Sequence, residues 1–172
     1  MSIIDLVKSQ IASGMLFPLV PQARGAIIRR TMLVTEEVQD VLFSPVGDLA
    51  WEERVANLRA DLEVFVTNET VDPKYLFHLY PAHDGVWEIR SVSHDPSIRV
   101  LGLFVEQDVF VATNIALREH LGGWNSRAWK HVKRRALARW RAVFNTYNPV
   151  LGTDAKLLVT GAIDGKYFKS RS

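Results

Sequence analysis

The chain has 172 residues, 48% of them hydrophobic and 23% charged, with a formal net charge of +2 and no cysteine. That length and composition fit one soluble globular domain with a real core, and the lack of cysteine excludes disulfides, thiolate metal sites and covalent thiol catalysis. No apolar run reaches the roughly 18 residues of a membrane span, and the start, Met1-Ser2-Ile3-Ile4-Asp5-Leu6, lacks a basic, cleavable leader, so a cytoplasmic protein with no membrane partner is expected.

The small net charge conceals a separation. Residues 1–117 hold 9 Lys/Arg against 16 Asp/Glu, residues 118–141 hold 8 against 1, and residues 142–172 hold 4 against 2. Such a chain can turn one face to a polyanion and the other to a basic partner, or it can neutralise itself within the fold.

Taken in order, Ile3 to Ala12 carries apolar residues at helical spacing and stops at Ser13-Gly14. Leu16 to Arg24 holds Pro18 and Pro21 and reads as irregular, because proline removes a donor and restricts its predecessor. Gly25 to Val34 is short and apolar, strand or helix. Thr35-Glu36-Glu37-Val38 looks like a helix start, with acids in the positive first turn and an end by Ser44-Pro45. Trp51 to Val66 is a helix, since Trp51, Val55, Leu58, Leu62 and Phe65 form one continuous stripe.

Asn68 to Lys74 is a connection, and Tyr75 to Tyr80 alternates as a strand would, ending at Pro81. Three closely spaced strands follow: Val86-Trp87-Glu88-Ile89-Arg90, Ile98 to Val105, and Val109-Phe110-Val111-Ala112-Thr113. On a strand, Arg90 shares a face with Glu88, while Trp87 and Ile89 share the other. Trp129 to Phe144 is an abruptly basic helix, in which Trp129, Val132, Ala136, Trp140 and Val143 share one arc and Arg127, Lys130, Arg134 and Arg141 the opposite one. Arg135 and His131 extend the basic arc, and Asn148-Pro149 closes the segment. Lys156 to Ile163 reads as a last strand turning at Asp164-Gly165.

The run Gly85-Val86-Trp87-Glu88-Ile89-Arg90, then Ile98-Arg99-Val100-Leu101 and Phe104-Val105, then Val109-Phe110-Val111, resembles the RelE/ParE superfamily of bacterial toxins, its HigB-like and phage-derived members in particular. The likeness spans residues 51–144. It implies an α+β fold, with a small twisted antiparallel sheet, two helices on one side of it, further N-terminal helices and a basic C-terminal helix. On this reading residues 1–172 form a single domain, with 1–50 a helical extension, 51–144 the core and 145–172 a C-terminal extension. Family members include toxins that cut messenger RNA on the ribosome and others that poison gyrase, and small antitoxins neutralise most of them. RNA and an antitoxin are therefore the implied partners.

Metal-free RNA cleavage needs a base for the 2′-hydroxyl proton, an acid for the leaving oxygen and cations for the charge growing on the phosphoryl group. Arginine suits the last role because its fork matches phosphate. Arg90 and Arg99 fall on positions that match the family's strand arginines. Where cleaving members place lysines or a histidine and a lysine after the last strand, this chain has Arg118 and His120. The candidate catalytic set is therefore Arg90, Arg99, Arg118 and His120. Candidate phosphate contacts are Arg127, Lys130, Arg134, Arg135, Arg139 and Arg141.

Plainer readings apply to the same residues. Arg90 and Glu88 can be an ion pair on a solvated sheet face, and His120 can close a short helix before Leu121-Gly122-Gly123. Trp129 and Trp140 belong to the core by periodicity, while Trp124 is a candidate for base stacking. His78, His83 and His94 have no metal-site spacing, and no phosphate loop or nucleophile elbow occurs, so no cofactor or metal is expected. The alternative functions are a non-catalytic module that binds nucleic acid or an acidic protein, and a homo-oligomer that pairs the basic helix with a neighbour's acidic half.

Overall fold

A computed structural model describes residues 1–163 except 73, 92 and 94. The expected turn at Asp164-Gly165, as well as Pro73 and His94, therefore lies outside the described residues. The helices are α1 (Ile3–Ala12), α2 (Glu36–Phe43), α3 (Leu49–Thr67), α4 (Arg118–Leu121), α5 (Arg127–Phe144) and α6 (Ala155–Leu158). The strands are β1 (Leu16–Pro18), β2 (Thr31–Thr35), β3 (Leu76–His78), β4 (Trp87–Arg90), β5 (Ile98–Glu106) and β6 (Val109–Leu117). No helix among the described residues is long and apolar enough to cross a membrane.

The chain is α+β, and its six strands form one sheet in the order β1-β2-β6-β5-β4-β3. The antiparallel block expected from the sequence is β3 to β6. The sheet as a whole is mixed, because β2 enters parallel to β6, with Thr31 opposite Val109 and Val34 opposite Ala112. The N-terminal 50 residues thus contribute two strands as well as helices.

Helices cover both faces rather than one. Val38 and Leu42 of α2, the stripe Val55, Leu58, Leu62 and Phe65 of α3, and Leu158 of α6 pack on Trp87, Ile89, Val100, Phe104 and Phe110. Val7 of α1, Leu121 of α4 and the apolar arc of α5 pack on Leu101, Leu103, Val105 and Val111. Burial on both sides explains why β5 and β6 read as nearly continuous apolar runs instead of alternating. A register shift at Leu101/Gly102 brings β5 so close to β6 that a Cβ on Gly102 would sit 2.2 Å from the Val111 carbonyl oxygen and 2.3 Å from the Phe110 ring. Only glycine fits that bulge.

Two differences from the sequence reading are local. Lys156 to Ile163 begins as the single turn α6, because the Asp154 carboxylate accepts from the Lys156 N–H at 3.0 Å and caps it. Gly25 to Arg30 is not strand, and Arg30 turns inward to close the end of α3. Its guanidinium donates to the carbonyls of Phe65, Asn68 (2.7 and 2.9 Å), Glu69 (3.3 Å) and Thr160 (3.0 Å). A buried cation is tolerable there because the helix C-terminus presents unpaired carbonyls of negative character.

Candidate nucleic-acid interface

The Ser126 hydroxyl starts α5 by accepting from the Trp129 N–H at 3.1 Å. Trp129, Val132, Ala136, Trp140 and Val143 are buried, as the sequence stripe requires. That arc is held by the sheet, so the opposite arc faces solvent. Arg127, Lys130, Arg134 and Arg141 are exposed and make no ion pair with any described residue.

Arg135 differs from the sequence reading. It is half-buried and ion-paired with Glu37 of α2, and Arg139 meets the other oxygen of the same carboxylate at 3.2 Å. Lys133 also leaves the outer row: its Nζ donates to the Tyr80 carbonyl at 2.6 Å. Partial burial pushes its ammonium pKa down, while Asp84 acts in the opposite sense.

The four residues proposed for phosphate chemistry gather at one end of β4–β6. Arg90 and Arg99 face each other in register on β4 and β5. The Arg118 N–H donates to the Ser97 carbonyl just before β5 at 3.1 Å, and its guanidinium donates to the Gly122 carbonyl at 3.0 Å. His120 is exposed in α4. Arg54 of α3 clamps this end from the other side, donating to both carboxylate oxygens of Glu119 at 2.7 and 2.8 Å and to Ser97 at 3.3 Å. That clamp holds the Glu119 carboxyl down at about 2.

Arg90 does pair with Glu88, at 2.8 Å, but in a buried setting rather than on a solvated face. The reason is that α5 and Trp124 cover this side of the sheet. The Arg90 guanidinium lies 3.6 Å from the centre of the Phe77 ring and 5.7 Å from that of Trp124. Its charge is committed to a carboxylate with no exposure, so Arg90 organises this end of the sheet. His120 is the exposed member of the set, whereas Arg99 and Arg118, like Arg90, are half-buried.

Sequence reasoning missed Arg54, whose role depends on residues 65 positions away, and Tyr80, Asp84 and Asn125, which join Trp124 and α5 around a cleft. An aromatic pair, Trp124 and Trp129, placed just before a run of cations was the available signal for that cleft. Among the described residues no group of three His, Asp or Glu could hold a metal ion. No family model matches the chain, nor does any curated protein or solved structure.

Proposed function

We propose that this chain is an RNA-binding protein of the toxin type that the β4–β6 residues resemble, reading phosphates with the solvent-facing arc of α5. The observation that carries the proposal is the division within one helix. One acid of the fold, Glu37, pairs with both Arg135 and Arg139, while Arg127, Lys130, Arg134 and Arg141 stand exposed and unpaired among the described residues in a row about 21 Å long at 1.5 Å per residue. Neutralising four phosphates of a single strand releases counterions, so log affinity should fall with log salt at a slope near −3. Arg134→Ala should reduce that slope by about 0.7, whereas Arg135→Ala should change it little. Fluorescence anisotropy with a labelled single-stranded RNA at several salt concentrations measures this, and salt-insensitive or absent binding would remove the proposal. An acidic antitoxin would compete for the same arc.

A catalytic reading is favoured by one further observation, the convergence of Arg99, Arg118 and His120 at the same sheet end. In that reading His120 takes the 2′-hydroxyl proton, the 2′-oxygen bonds to phosphorus as the phosphorus–5′-oxygen bond breaks, the 5′-oxygen takes a proton from water, and the arginines hold the phosphoryl oxygens. Arg90→Ala is a poor probe because it would strand the buried Glu88 carboxylate. Controlled bacterial expression of wild type beside Arg99→Ala/His120→Ala, with growth and total RNA followed, is the better one. Arrest and RNA loss confined to wild type are expected. Normal growth with both, at equal soluble expression, would leave binding without cleavage.

A further inference from the structure

Beside the phosphate arc lies a cleft of 220 Å³ between the Tyr80-Pro81 segment and the first half of α5. This is below the roughly 300–1,000 Å³ of sites that enclose a drug-sized molecule, and it suits one flat ring system. We propose that it is a nucleobase subsite that takes one unpaired base of the RNA strand, a reading that rests on RNA binding by α5.

Four features carry it. Tyr80 is 55% exposed, a large ring presented to solvent at the cleft wall where apolar contact is available. Trp124, which also lines the cleft, is preorganised: it stacks on buried Trp129 with centroids 4.6 Å apart and planes 20° apart, so little ordering is left to be done on binding. The Lys133 bond to the Tyr80 carbonyl ties the Tyr80 segment to α5 and fixes the width between them. The polar groups are then distributed as a nucleotide requires. Lys130 and Arg134, one turn apart on the outer edge, suit the phosphate, while the Asn125 amide and the acceptor-only Asp84 carboxylate suit base or ribose donors.

A base inside a duplex cannot reach such a cleft, because its faces are already stacked. The subsite therefore selects single strands, and stacking of this kind tolerates any base identity. This differs from the α5 arc, which would accept any phosphodiester chain.

The test compares binding of a short single-stranded RNA, a phosphodiester chain of equal length without bases, and a duplex, for wild type and Tyr80→Ala. Wild type should bind the single strand about ten-fold more tightly than the base-free chain. Tyr80→Ala should lose that advantage and keep the salt slope. Equal binding of single strand and base-free chain by wild type, both salt-sensitive, would overturn the subsite and leave the α5 arc standing. If neither chain binds, the RNA-binding reading falls and the subsite with it. The wild-type comparison does not depend on how the variant folds.

Discussion

His78 lies fully buried on β3, its ring 4.6 Å from that of Trp87 across the strand pair. Neither ring nitrogen has a hydrogen-bond partner among the described residues, and burial pushes the imidazole pKa below its ordinary 6.5. The sign of the consequence follows from proton counting. As pH falls below that ordinary value, the unfolded chain binds a proton that the folded chain refuses, so stability declines by at most about 1.4 kcal/mol per pH unit. His78→Phe keeps the ring against Trp87 and removes both unpaired nitrogens. It should be at least as stable near neutrality, by on the order of 1 kcal/mol, and should lack this part of the acid sensitivity. Denaturant midpoints measured from pH 7 to about 5 decide it; parallel profiles for the two proteins would show that His78 is not the group responsible. The residue scale is also where sequence reading reached least far. Parity on β4 put Arg90 beside Glu88, but nothing local told that α5 would cover the pair, and an ion pair read as solvated is in fact buried.

At the scale of elements, legibility followed periodicity. The stripes of α3 and α5 assigned their buried arcs correctly, because a 3.6-residue repeat sustained over 19 and 18 residues has no other economical reading. The β4–β6 block was readable for a similar reason, being dense in β-branched and aromatic residues with a tight turn at Glu106-Gln107-Asp108. Pairing over distance was not readable. Leu33 meets Val111 in parallel across a sequence separation of 78, and no local pattern encodes that choice. Once β2 occupies that place, the helices between β2 and β3 form the layer on the Trp87 face, and α5 forms the opposite one. The short elements failed differently. Leu157-Leu158-Val159 has strand composition, yet a capped turn of four residues takes part of it, since four residues give periodicity too little to act on. The candidate interface shared this split: the exposed arc of α5 was visible in the sequence, whereas the cleft joins Tyr80 to Trp124, residues brought together only by the sheet.

Across the whole molecule, the acidic N-terminal part and the basic helix do meet, but over a limited seam. Glu37 at the start of α2 reaches two cations one turn apart on α5, Arg135 and Arg139, and so offsets part of the charge on that side of the helix. The opposite row makes no ion pair with any described residue. Of the two expectations for the sequence's charge separation, partial self-neutralisation applies to one arc of the helix, and presentation to a polyanion is what we propose for the other. Glu37→Gln separates them. It should free Arg135 and Arg139, raise RNA affinity and steepen the salt slope by up to about 1.4, at 0.7 per added phosphate contact. Because both arginines are partly exposed, the ion pairs contribute modestly, and the variant should be less stable by at most about 1 kcal/mol, a fall in melting temperature of roughly 2–4 °C. Anisotropy titrations against salt, read beside thermal melts, measure both effects. An affinity that rises while stability falls is the outcome expected of a clasp that restrains binding charge. An unchanged slope would place Arg135 and Arg139 off the path of the RNA and restrict the interface to the row from Arg127 to Arg141.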